Sequence, residues 1–395
     1  MGWFDFFRKK KNTEEPLEKQ QEISMTKSST SNNINEGVDV KQSVVERHHT
    51  ENEPVLLSEL LMTATPSKQG LYPHEIMMLE YAPRFKTVNN TFQGFWYWQY
   101  SITEPQAVLD SLYKRGFIEI SDLRTTLERL RIPEIKEELK LIQQKMTGKK
   151  AELIDRLIEF GDIEGLEKKY IERYYVITSK GEDELNENQY VSYLHRHRYM
   201  TCWEMNKRIA QTHYSYRDVL WGYFNEQSVL YFKSGNFGLY RNVRSDMYRF
   251  LMEERKYELA FHMLCEVLAY DLSLLSNSNL LAWENTDPKL YLMVYESEME
   301  RFFPYKVDNF IVPPGISDCF AEMQTIFRLD TKNFKEAILK ELDQINIPHK
   351  LFTNEESVEI IIAEMNNDIK NLKRIFSKVE EREKDRLKEI KSKIR

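Results

Sequence analysis

The C-terminal half of this chain holds one clear cluster of helix breakers, Pro313, Pro314 and Gly315, in a sequence otherwise spaced for helices. Within it, "RKYELAFHMLCEVLAYDLSLL" (255–275) sets Leu259, Met263, Val267 and Tyr270 along one core-facing stripe. The final helix carries Met365, Ile369, Leu372, Phe376 and Val379 at alternating steps of four and three, a heptad seam. Glu383 and Arg386 take the next two seam positions, so the pattern suits one helix docking on another better than a long rod. The chain therefore reads as mainly α, with a small α+β part ahead of a C-terminal multi-helix domain. Helical hairpins around 245–345 could stack in the manner of tetratricopeptide units, although no fixed-period repeat is present.

The N-terminal part changes character several times. "MGWFDFFRKKK" sets Trp3, Phe4, Phe6 and Phe7 ahead of Arg8, Lys9, Lys10 and Lys11, an amphipathic, cation-rich tip suited to an anionic lipid surface or a partner's groove. Phe6 stands where a myristoylation motif wants Ser or Thr. From Asn12 to Pro54 there is no Phe, Tyr or Trp, so this stretch cannot offset its ordering entropy by burial and reads as a disordered linker. Helices are expected at "LLSELL" and over 72–85, where Pro73 and Pro83 punctuate the pattern. The alternating aromatics of "NNTFQGFWYWQY" (89–100) predict a strand or hairpin. "EPQAVLDSLYKRGFIE" returns to helical spacing and closes on Gly116. "YYVITSKGEDEL" (174–185) reads as a short strand, a Ser-Lys-Gly turn at 179–181 and a new helix.

The segments expected are a tip at 1–11, a linker at 12–54, an α+β domain at 55–190, a helical domain at 191–354 and a C-terminal helix at 355–395. The hydrophobic fraction of 41% is enough to fill two or three cores. Acidic residues outnumber basic ones, 63 to 56, so affinity for nucleic acid has to come from local patches. Cys202, Cys265 and Cys319 form no pair pattern and suit buried thiols in a reducing compartment. No stretch reaches the roughly eighteen apolar residues of a membrane span, and the N-terminal charges follow its apolar residues rather than precede them. The location expected is cytoplasmic, with a peripheral membrane contact at the tip.

One stretch holds an electrostatic oddity. In "IPEIKEELKLIQQKMTGKKAELIDRLIEFG" (132–161), Ile135 and Leu139 share one helix face, about eight loop residues follow, and Leu153, Leu157 and Phe160 line a second helix. Lys149 and Lys150 fall in that helix's first turn, where the macrodipole disfavours cations. With Thr147 as N-cap and Gly148 leaving backbone N–H groups open, a bound phosphate would resolve the conflict. The spacing of Glu134, Ile135, Lys136, Leu139, Thr147, Gly148, Lys149, Lys150, Glu152, Leu153, Arg156 and Leu157 resembles the SAP motif, a helix-loop-helix element of many DNA-binding proteins. The resemblance covers about 123–161 and implies that Lys149 and Lys150 contact duplex phosphates, with Lys145 and Arg156 as helpers and Thr147 and Gly148 shaping the site. The layout of the rest is similar to SAP-containing proteins of Gram-positive bacteria, their phages and mobile elements. The pattern departs from the family at Gln143 and Gln144, where a Gly-Leu pair is usual, so the turn is made without glycine's freedom. Residues 121–161 carry nine basic against eight acidic side chains, a net of +1, which suits weak backbone binding without base reading.

Other constellations compete. A winged-helix reading takes the helix near Tyr113 to Arg115 and the turn at Lys180 as its DNA-facing parts, with the SAP-like hairpin inserted between its strands. "HRHRYMTCWEMNKRIAQTHYSYRDVLWGYF" (195–224) mixes cations with rings, as a nucleic-acid surface does. Its helical spacing reads instead as a helix pair with Trp203, Tyr214, Trp221 and Phe224 in a core and the arginines on a solvated face. His195, His197 and Cys202 lack a carboxylate or second cysteine at ligand spacing, so no metal is expected. His213, His262 and His349 read as partly buried, hydrogen-bonded side chains. The excess of eleven basic over six acidic residues in 366–395 reads as a solvated, salt-bridged helix. Gly235 and Gly238 read as a turn, and no phosphate loop, nucleophile elbow or His-Glu-x-x-His is present. The sequence thus points to a non-enzymatic adaptor without a cofactor or small-molecule substrate. Duplex DNA is its expected ligand, and the helical domain its site for protein partners. A phage or mobile-element scaffold binding protein or membrane alone is the other reading.

Overall fold

The structure, a computed structural model, describes residues 54–276, 280–284, 286–306 and 311–394. The expectations for the tip at 1–11 and, apart from Pro54, for the linker at 12–54 lie outside these residues. α1 (Leu57–Thr63) leads into α2 (Pro73–Tyr81), α3 (Phe95–Tyr100) and α4 (Pro105–Lys114). β1 (Ile118–Ile120) then pairs antiparallel with β2 (Tyr175–Ile177), Ile118 opposite Ile177 and Ile120 opposite Tyr175. Between the two strands lie α5 (Leu123–Arg129), α6 (Ile132–Leu141), α7 (Lys150–Phe160) and α8 (Ile163–Lys169). α9 (Ser179–Glu187), α10 (Tyr190–His197), α11 (Cys202–Thr212), α12 (Tyr216–Lys233), α13 (Phe237–Glu253) and α14 (Tyr257–Asp271) follow β2. The chain ends through α15 (Leu281–Glu284), α16 (Pro288–Phe302), α17 (Pro314–Phe327), α18 (Thr331–Leu342), α19 (Asn354–Met365) and α20 (Ile369–Ile394). The fold is mainly α with a small α+β part. Among the described residues no helix is long and apolar enough to cross a membrane.

α2 begins on Pro73, and the carboxylate of Glu75 accepts the Tyr72 N–H at 3.0 Å. It is buried from Pro73 to Leu79 because α4, α9, α10 and α11 all pack against it. Leu71, Met78, Trp96, Leu112 and Phe117 share one core with Val191, Met205, Leu220, Phe224 and Phe250. The boundary expected at 190 therefore runs through a single core, because α10 to α13 close over the elements that precede them.

Several expectations are corrected by packing. Residues 95–100 form a helix rather than a strand: Phe92, Trp96 and Tyr100 meet the core at four-residue steps, and no partner strand is present in the described residues to reward extended backbone. Ser179 already belongs to α9, capped by the Thr178 hydroxyl, so 179–181 is the first turn of the helix and not a turn before it. Gly181 packs there with Phe117 O only 2.4 Å from where a Cβ would stand. On α14, Leu259 is exposed while Ala260, Phe261, Leu264 and Cys265 are buried. That helix is covered by α13 on one side and α17 and α18 on another, so its apolar surface is wider than a stripe. Met365 ends α19, because Asn366, Asn367 and Asp368 break the chain before α20; the continuous seam starts at Ile369. It also runs further than its apolar residues: Glu383 is buried, its carboxylate accepting the Tyr295 hydroxyl at 2.5 Å.

Candidate nucleic-acid interface

The four helices between β1 and β2 form a module with its own core of Leu123, Leu127, Ile135, Leu139, Leu153, Ile154, Leu157 and Leu166. Asp122 starts it by capping α5, its carboxylate accepting the Thr125 N–H at 2.8 Å, which holds that carboxyl below its ordinary range. Ile154 fills the place expected for Phe160, which is exposed, since a helix turn carries position 154 rather than 160 toward α6. Arg129 ties the module to the body: its guanidinium donates to Pro83 O at 2.6 Å and lies 3.9 Å from the Tyr174 ring centroid. The chain leaves α6 without a glycine by placing Gln143 at φ 56°, while the Gln144 N–H closes on Leu139 O at 2.8 Å; glycine's freedom is used only at the far end of the loop, where Gly148 takes φ 137°.

The start of α7 differs from the expected cradle. Its N-cap is Lys149, not Thr147, whose side chain makes no cap bond. Glu152 turns back so that its carboxylate accepts the Lys149 N–H at 3.1 Å and lies where a Cβ on Gly148 would meet it at 2.5 Å. The chain's own acid thus sits at the positive pole. Lys150 reaches the other way: its ammonium donates to Glu128 O, 2.5 Å away in the last turn of α5, satisfying a C-terminal carbonyl of that helix. Arg156 is spent within the loop, donating to Lys145 O at 2.5 Å and Thr147 O at 3.3 Å. One of the two lysines at the helix start therefore has a local structural reason, and Arg156 positions the loop.

Lys145 and Lys149 are exposed, and their ammonium groups have no acidic partner among the described residues. Lys140, in the last turn of α6, joins them at the loop end, a cation that the motif spacing alone does not single out although it follows Lys136 at helical spacing. Leu141 and Met146 stand exposed at the same end.

The competing surfaces are largely committed. α4 and β1 precede the module in the chain and β2 and α9 follow it, but Arg115 pairs with Glu75 at 2.6 Å and Lys180 donates to Arg115 O. In 195–224, Trp203 and Phe224 are buried and Trp221 packs against the core, whereas Tyr214 is exposed. Arg208 pairs with Glu204 and Glu226, and Arg217 with Glu253 and Glu254, so these arginines are bridged rather than merely solvated. His262 meets Glu341 at 2.9 Å and His349 donates to Ser273 O, while His213 is exposed at a helix end. Cys202 and Cys265 are buried free thiols, and burial pushes the Cys202 thiol up to about 12. Asn236 caps α13, and Gly238 allows the backbone of Ser276 to approach to 2.2 Å from a Cβ position. Among the described residues no group of three or more His, Cys, Asp or Glu side chains is arranged to hold a metal ion. No protein-family model and no curated protein matches this chain.

Proposed function

We propose that this protein is a non-enzymatic, DNA-associated adaptor: the module between β1 and β2 meets the duplex backbone, and the helical body offers surfaces to protein partners. The observation that supports this reading is the loop end of the module, where Lys140, Lys145 and Lys149 stand exposed without acidic partners among the described residues. Lysine ammonium groups in that state gain charge-assisted contacts with phosphate and release its counterions. With Glu152 already at the pole of α7, phosphates meet side chains there rather than an open row of backbone N–H groups.

The test uses the full chain, because the core crosses residue 190. Binding to a labelled duplex should weaken with salt, and the Lys145→Glu, Lys149→Glu double variant should flatten the slope of log K against log salt by nearly two units, at about 0.9 for each phosphate no longer neutralised. Lys150→Met should lower stability through α5 and leave the slope largely unchanged. An unaltered slope in the double variant, or no binding at low salt, favours the second reading, a phage or mobile-element scaffold that binds protein or membrane only. The exposed Leu141 and Met146 beside the same lysines favour that reading. A membrane contact through the tip is checked by deleting residues 2–11, which should reduce pelleting with anionic vesicles.

A further inference from the structure

His195, near the end of α10, is held between two tyrosines: its Nε2 lies 3.0 Å from the Tyr81 hydroxyl and its Nδ1 2.9 Å from the Tyr100 hydroxyl. The Phe95 ring stands 5.0 Å away and covers the imidazole further. Three guanidinium groups surround this hub, Arg84, Arg196 and Arg198, close enough to act on the imidazole charge. Burial and these cations together lower the His195 pKa, so the ring is neutral around pH 7. Elsewhere in α11 to α14 the arginines Arg208, Arg217, Arg241 and Arg244 each have a carboxylate partner. Arg84, Arg196 and Arg198 have no salt bridge among the described residues. Arg84 only lies over the Tyr81 ring, at 3.9 Å. Glu80 lies near them, its pKa raised by burial against the opposing pull of Arg196 and Arg84, so one carboxyl faces three guanidinium groups.

Beside this hub is a cleft of about 350 Å³ walled by Trp98, Tyr100, His195, Arg198 and Met200. Its size is at the lower end of small-ligand sites. Trp98 is 64% exposed, an unusual cost for so large a side chain. Cations at the end of α10 do offset the helix dipole, but that role needs neither Arg84 nor an exposed Trp98 lining the same cleft as Arg198. A planar, anionic ligand uses all of these features together: a ring stacks on Trp98, and a phosphate meets the guanidinium fork.

We propose that the cleft between Trp98 and Arg198 binds an unpaired nucleotide, its base stacked on the Trp98 indole and its phosphate held by Arg198, with Arg84 and Arg196 supplying the field. This site is separate from the loop end of the module and does not depend on duplex binding there. The same chemistry is offered by a free nucleoside monophosphate and by a nucleotide within a single strand.

The test measures anisotropy of a labelled oligothymidylate of about twelve nucleotides with the full chain, together with competition by thymidine monophosphate and by inorganic phosphate. Trp98→Ala should weaken strand binding about tenfold or more, Trp98→Phe much less, and Arg198→Glu should weaken it and lower its salt dependence. The Lys145→Glu, Lys149→Glu variant should keep strand binding whatever it does to duplex binding. Competition by the monophosphate at similar concentrations to the strand identifies a free nucleotide as a sufficient ligand; competition only by the strand assigns the site to nucleic acid. His195 should titrate at higher pH in the bound state by NMR, because the phosphate offsets the arginines. Strand binding unchanged in both Trp98→Ala and Arg198→Glu, with melting temperatures equal to the parent's, overturns the proposal, as does inorganic phosphate competing as well as the monophosphate.

Discussion

The module between Ser121 and Arg173 is held by eight buried aliphatic side chains with Tyr170 at their edge, whereas the body that carries it is built on rings such as Trp96, Phe117, Phe224, Phe261 and Phe334. Their charges differ as well. In the body, Arg241 grips the buried Asp271 through two bonds of 2.8 and 2.6 Å, and Arg244 and Arg217 are likewise bridged. In the module, Arg124 and Asp155 form a half-exposed pair, Lys169 reaches the buried Glu138 at 2.5 Å, and Lys145 and Lys149 have no acidic partner among the described residues. A small aliphatic core with free surface cations is the kind of unit that opens on its own and has charge to offer a ligand; a ring-filled core cross-tied by arginine is the kind that holds a shape.

The sharpest way to break this contrast is to remove one arginine from each region. Arg241→Ala should cost the body about 3–5 kcal/mol in denaturant melts, because Asp271 is left buried without its partner, and replacing both residues by apolar ones should recover much of it. Arg124→Ala should cost far less, since solvent screens its pair with Asp155. Equal losses would abolish the distinction. Next in size, Leu153→Ala should cost about 2–5 kcal/mol. Hydrogen exchange should then accelerate across 123–169 while the near-ultraviolet circular dichroism of the body is unchanged; a simultaneous loss of both would mean one cooperative unit.

Acid supplies a third test, since the module contains no histidine. His74, buried against Trp203, is brought down to about 4, so it stays neutral in the folded chain while the unfolded chain takes up a proton below about 6.5. Stability should therefore fall as pH drops from about 6.5 to about 4, by up to about 3 kcal/mol, in the body and not in the module. His74→Phe should remove the His74 share of that slope in thermal melts and leave the part due to His195 and His349, whose pKa values burial also lowers. His262 acts with the opposite sign: its hydrogen bond to Glu341 raises its pKa, so its contribution is present below about 6.5 and lost as pH rises through the folded value. Its effect should be the smaller one because the side chain is about a third exposed. Smallest of all, Arg156→Ala should cost about 1 kcal/mol and loosen the loop from Lys145 to Thr147, seen as faster amide exchange there.

Much of the architecture was legible locally. Pro73, Pro105, Pro288 and Pro314 each sit at the first position of a helix, Gly116 follows the end of α4 at φ 76°, and the two-helix spacing of Ile135, Leu139, Leu153 and Leu157 corresponds to a real core. The candidate site was legible less well. The presence of lysines at the start of α7 was plain, but a capping role for Thr147 was not fulfilled, because Glu152 competes for the same N–H groups from inside the helix. Trp98 was hidden in a segment whose alternating rings imitate a strand, and Arg84 and Arg198 are separated by more than a hundred residues in the chain.

By itself the sequence determined where helices start and stop and which short stretches share a face, because caps, prolines and three-to-four spacing act within a few residues of one another. Only the tertiary structure decided what those faces meet. Lys150 finds the end of α5, Glu383 finds Tyr295, and His195 finds Tyr81 and Tyr100, 114 and 95 residues away. Such pairings depend on how whole helices pack, and the free energy that selects them is shared across a core rather than written at either residue.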